Sequence, residues 1–135
     1  WDGQEYLRPL IRSLQEGAFV MTALDGTGGG RELGRRVTQK VCGQPMKLPV
    51  GSAWLALASG ASLFPLHTHY VGGRGAPFRA VVGPEIPLLR DAPRREALDD
   101  AAESLSLYLE RVLTQYPGDW HFWDEFEPGR FLEEA

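Results

Sequence analysis

The chain has 135 residues, 43% of them hydrophobic, and a formal net charge of −4. That length fits one domain or a piece of one, the hydrophobic share is ordinary for a folded core, and the charge argues against nucleic acid held by a generally basic surface. No apolar run reaches the ~20 residues that span a bilayer, no signal peptide is read, and one cysteine, Cys42, excludes an internal disulfide framework and fits a reducing compartment.

Cys42 reads as a small buried hydrophobe. The first residue is Trp1 and the methionines are Met21 and Met46, so the expectation is that a front portion was cut away or processed off.

Trp1 to Gly17 reads as a helix after a few loose residues. Tyr6, Leu7, Leu10, Ile11 and Leu14 share one face, Pro9 suits the first turn and Gly17 is the stop. Ala18 to Leu24 is a short apolar run of the kind found in a strand covered on both faces, and it ends in Asp25-Gly26. Arg35 to Cys42 alternates loosely and predicts an exposed strand. Gln44 to Pro49 reads as a loop.

Leu48 to His67 is the stretch around which the chain is organised. A helix starts at Ser52, carries Trp54, Leu55, Leu57 and Ala58, and stops at Gly60, the residue favoured after a helix C-terminus. A buried strand follows over 61–66, with Pro65 placed where a strand tolerates a missing N–H, at an edge, an end or a bulge. Next come His67-Thr68-His69-Tyr70, a Gly-rich loop over 72–77 and a strand over 78–83. Asp91 is placed to cap a long helix with Pro93 in its first turn. There Leu98, Ala102, Leu105, Leu109, Val112 and Leu113 make a continuous apolar stripe. In the tail, Trp120, Phe122, Trp123, Phe126 and Phe131 either pack the chain end onto the core or contact a membrane, a contact that Asp119, Asp124, Glu125 and Glu127 oppose at an anionic surface. Together the elements predict an α/β fold, with a mixed β-sheet of about four strands and flanking helices.

Gly51 and Ser52 open a helix whose free N–H groups suit an anion, although capping alone also explains them. Asp25-Gly26 is equally a turn signal. His67 and His69, two apart on a strand, share a face and suit one zinc ion, with Asp25 or a distant acid completing the set. Two histidines are not a site, and no metal or cofactor is expected.

Four blocks carry a resemblance: LIRSLQEGAFVMTALDG at 10–26, LPVGSAWLALASGASLFPL at 48–66, FRAVVGPEIP at 78–87, and the long helix leading to YPGDWHFW. In order and spacing they resemble the C-terminal half of the lysophospholipid acyltransferase family, closest to the bacterial lipid A lauroyl/myristoyl acyltransferases. The resemblance covers most of residues 6–126. It implies that residues 1–135 are the C-terminal portion of a single α/β acyltransferase-like domain, an incomplete half. It also implies transfer of a fatty acyl group from acyl-CoA or acyl carrier protein to a hydroxyl of a lipid acceptor, a lysophospholipid or lipid A precursor, at the cytoplasmic face of the inner membrane.

Asp25-Gly26 resembles the family's acid-Gly pair at the acceptor site, and Pro65 its apolar-Pro step near the cleft. With Gly51 and Ser52, these are the candidate substrate-binding residues. The family's base, a histidine in His-x-x-x-x-Asp/Glu, has no counterpart: His67 is followed five residues on by Gly72, His69 by Arg74 and His121 by Phe126. The chain alone is therefore expected to be inactive and, with an apolar surface left uncovered, prone to self-association. A lipid- or acyl-binding module without catalysis is the alternative.

Overall fold

The computed structural model describes residues 7–24, 35–73, 75 and 77–120. Within them the order is α1 (Leu7–Gln15), β1 (Arg36–Val41), β2 (Gln44–Pro49), α2 (Gly51–Ser59), β3 (Leu66–Tyr70), β4 (Phe78–Val82), α3 (Arg94–Gln115) and a 3₁₀ turn at Pro117–Asp119. The α/β class agrees with the sequence, and of the expected strands those over 35–42 and 78–83 are present. The single mixed sheet is not. The described strands form two separate antiparallel pairs, β1–β2 and β3–β4. Each is a local hairpin closed by its own loop, so α2, lying between them in sequence, makes no parallel crossover.

Helix α3 is the spine. Its 22 residues extend about 33 Å at 1.5 Å per residue, and its buried residues include Leu98, Ala102, Leu105, Leu109 and Leu113, the predicted stripe. One part of it closes a core with Val41, Met46 and Leu48 of the first hairpin and with Trp120. The other packs Leu98, Ala101 and Ala102 against Val50 and Ala53. Trp120 thus packs onto the core as one reading of the tail had it. Phe122, Trp123, Phe126 and Phe131 lie outside the described residues.

Asp91 does not cap α3. The helix starts at Arg94 behind Pro93, which sits at the N-cap with φ −51° and ψ 137° and offers no side-chain bond. A proline biases the residue before it away from helix, so Pro93 separates Asp91 from the first turn. In α2 the helix begins at Gly51, one residue before the expected Ser52, and the cap position is Val50, again without a side-chain bond. Its end is as read: Gly60 takes φ 82° and gives its N–H to Ala56 O. Arg90 adds a bond of 2.8 Å to Ala61 O, just beyond that end.

The expected loop over 44–49 is strand β2. Pro45 and Pro49 disguise it, but they cost no ladder bond. Val50 N–H bonds Arg35 O at 3.2 Å, which fixes the alternation. Lys40–Pro45 and Arg36–Pro49 fall on the non-hydrogen-bonded pairs.

The expected strand over 61–66 is displaced. Leu63 makes one isolated bridge to Ile86, and the regular strand begins only at Leu66. Pro65 stands at its entrance, where a carbonyl alone is required: Gly83 N–H bonds Pro65 O at 2.8 Å. The run over 18–24 is not in a ladder among the described residues, and Phe19 is 84% and Met21 72% exposed. Cys42 is also exposed, because it occupies the two-residue turn between β1 and β2.

Candidate functional site

The expected substrate-binding residues are not gathered in one place. Gly51 is exposed at the start of α2. Ser52 is half-buried and lines a recess of about 50 Å³ with Leu14, Val20, Leu55 and Leu63. That volume suits a water molecule, whose share of liquid volume is about 30 Å³, rather than an acyl chain. Pro65 is buried beside Gly83 and Tyr108, away from that recess. Asp25 and Gly26 lie outside the described residues. A larger groove of about 550 Å³ runs beside the start of α3, lined by Glu96, Asp99, Asp100 and Glu103 together with Arg95, and none of the expected substrate-binding residues borders it.

The most densely built polar cluster sits elsewhere, between β3 and α3. Alternation along β3 turns His67 and His69 to the same inward side, as their spacing requires. His67 Nδ1 and Tyr108 Oη are hydrogen-bonded at 2.7 Å. His69 stacks on Tyr116 with ring centroids 4.2 Å apart and planes within 3°. The two imidazoles are 5.5 Å apart. His69 is 7% exposed, and His67 Nε2 and His69 Nδ1 are buried without a hydrogen-bond partner in the structure.

Tyr108 reaches His67 because position 83 is glycine. A Cβ there would stand 2.4 Å from Tyr108 Cε2 and 2.9 Å from Pro65 Cγ. The sequence offered a signal for the histidine pair in its His-x-His alternation. Tyr108 and Tyr116 gave none, since they flank the apolar stripe of α3 rather than interrupt it.

Burial, and then the neighbouring His69, hold the His67 pKa below the ordinary imidazole value. Burial raises that of Tyr108, with Arg111 opposing. A histidine with a lowered folded-state pKa makes the unfolded chain bind more protons. Stability is therefore fully present above about pH 6.5 and falls as the pH drops through the folded value. Urea unfolding between neutral pH and pH 5 should show wild type losing stability more steeply than His67→Gln. Parallel slopes would remove His67 as the cause.

Among the described residues no group of three or more His, Cys, Asp or Glu converges to hold a metal ion. Among the described residues His67 and His69 contact each other, Tyr108 and Tyr116, and no third ligand joins them; Asp25, the third ligand considered, lies outside the described residues. Comparison with known proteins adds no relative: no family model matches the chain, and no curated protein is significantly similar to it.

Proposed function

We propose that this chain is the C-terminal half of an acyltransferase-type α/β domain. In this reading a histidine of an upstream His-x-x-x-x-Asp/Glu segment takes the proton of the lipid hydroxyl. The oxygen then attacks the acyl thioester carbonyl, and the thiolate of coenzyme A or acyl carrier protein departs. The acceptor is a lysophospholipid or a lipid A precursor at the cytoplasmic face of the inner membrane. In this reading Asp25, Gly26, Gly51, Ser52 and Pro65 are the acceptor-side residues this half contributes.

The observation that carries the reading is the apolar run over 18–24. Its composition suits a strand covered on both faces, yet Phe19 and Met21 are the two most exposed large hydrophobic side chains among the described residues. Burying each against the rest of a domain would contribute roughly 1.5–3 kcal/mol. The order of the four sequence blocks supplies the acyl-transfer element. A lipid-binding module without catalysis would need an apolar cavity of roughly 300 Å³ or more; among the described residues the recess at Ser52 is far smaller, and the larger groove beside α3 is lined mainly by charged side chains.

Extending the chain by its own upstream coding sequence tests the proposal. The 135-residue chain should not consume an acyl thioester. The extended protein should, and should lose that activity when the histidine of the upstream motif becomes alanine. An upstream frame without the motif, or an extended protein that leaves the thioester intact, overturns it.

A further inference from the structure

The β3–β4 hairpin is held to α3 by an imidazole–tyrosine seam rather than by the apolar core. Among the described residues, neither of the two apolar clusters contains a residue of β3 or β4. The outward face of the hairpin, with Leu66, Tyr70, Phe78 and Val82, is apolar and exposed. Its packing therefore comes from the inward side. There His67 Nδ1 is hydrogen-bonded to Tyr108 Oη at 2.7 Å and His69 stacks on Tyr116. The base of the hairpin is anchored differently. Leu63 packs against the second cluster and bridges Ile86, which is buried, and Gly83 N–H bonds Pro65 O at 2.8 Å. The two strands can thus leave α3 while their base stays in place.

The seam suits a neutral imidazole. His67 Nε2 is buried without a hydrogen-bond partner in the structure. A second proton on this ring puts a charged donor where no acceptor waits, and an unpaired charge out of water is costly. The charged and titratable neighbours do not offset that cost. On β3 the other imidazole is 5.5 Å away. On β4 Arg79 stands opposite His69. On α3 Arg111 acts on Tyr108, the hydrogen-bond partner of His67. Beyond the end of α3, Tyr116 covers His69, and Asp119 Oδ2 is engaged by Tyr70 N–H at 2.9 Å.

We propose that the His67–Tyr108 contact is a proton-operated latch: protonation of His67 frees the β3–β4 hairpin from α3 while the two apolar clusters stay closed. Release brings Nε2 into water, which supplies the missing acceptor, and uncovers the rings of Tyr108 and Tyr116. Such an opening is a local one, confined to an element with few apolar anchors. A free two-stranded hairpin is marginal in water, so the released strands lose the protection of their ladder. The latch needs neither an acyl donor nor an upstream half. It goes beyond the acyl-transfer reading and does not depend on it.

Hydrogen–deuterium exchange of the 135-residue chain between neutral pH and about pH 5 tests it, with rates corrected for the intrinsic pH dependence of amide exchange. Amides of β3 and β4 should lose protection as the pH falls. The loss should reach up to about tenfold per pH unit between the folded value of His67 and the ordinary imidazole value. Amides of β1, β2 and α3 should keep theirs. This comparison needs no substitution. His67→Gln, which does not titrate, should make the hairpin insensitive to pH. Tyr108→Phe keeps the ring beside Gly83 but lacks the hydroxyl, and should loosen the hairpin already at neutral pH. Hairpin protection that ignores pH overturns the proposal. So does a loss shared equally by all elements, which is global unfolding. A pH response that survives in His67→Gln gives the proton to another group, and a Tyr108→Phe hairpin as protected as wild type removes the hydroxyl from the latch; either result overturns it.

Discussion

Leu48→Ala should lower the free energy of unfolding by about 2–5 kcal/mol, the range for a leucine truncated in a packed core. Leu48 is 1% exposed and sits in β2 within the cluster formed by Val41, Met46, Leu109, Leu113 and Trp120. That cluster joins the first hairpin to α3, so the cavity would open at a junction between elements rather than inside one. Domains of this size are stable by about 5–15 kcal/mol, and the loss would take a large part of that. Urea denaturation read by circular dichroism measures it. A change under about 1 kcal/mol would mean that the hairpin and α3 are not one cooperative core.

Gly83→Ala should cost about 1–3 kcal/mol through overpacking and should also disturb a residue it does not replace. The added Cβ would lie 2.4 Å and 2.8 Å from two ring carbons of Tyr108 and 2.9 Å from Pro65 Cγ. Two rigid rings cannot both yield, so Tyr108 must swing away from His67. His67 would then regain water, and its pKa should rise toward the ordinary imidazole value. NMR titration of the His67 ring reads this directly. Gly51→Ala is the contrast: no atom lies within 4 Å of the added Cβ and its φ is not in the left-handed region. It should be neutral or stabilise by up to about 1 kcal/mol. An unmoved His67 pKa in a stable Gly83→Ala protein would refute the packing account.

How legible each element was follows from where its determinants lie. In α2 and α3 they are local. Gly60 sets one end, and the spacing from Leu98 to Leu113 sets the buried face, so both helices could be read. Strand signals were less reliable. The prolines at 45 and 49 looked like loop residues because harmless placement depends on which β1 residue stands opposite. Pairing β3 with β4 in a sheet apart from β1–β2 left no trace in any one segment. The expected site fared similarly: Gly51, Ser52 and Pro65 are where the chain places them, but no cavity unites them. The histidine pair was legible as a pair. Its tyrosine neighbours, about forty residues further on, were not, because only the docking of the hairpin on α3 brings them near.

Cys42 occupies the tight turn of the first hairpin at φ 51°, ahead of Gly43 at 79°. This is a conformation that favours Asn or Gly, and the Cys42 N–H is held by Glu110 Oε2 at 2.7 Å. The thiol is exposed and is the only one in the chain. Two copies can therefore join covalently in air through this turn alone, at a point unrelated to the apolar hairpin face. Apparent dimers that vanish with a reducing agent report on this sulfur. Blocked with a maleimide dye, the same sulfur becomes a single-site reporter of whether the first hairpin stays seated on α3.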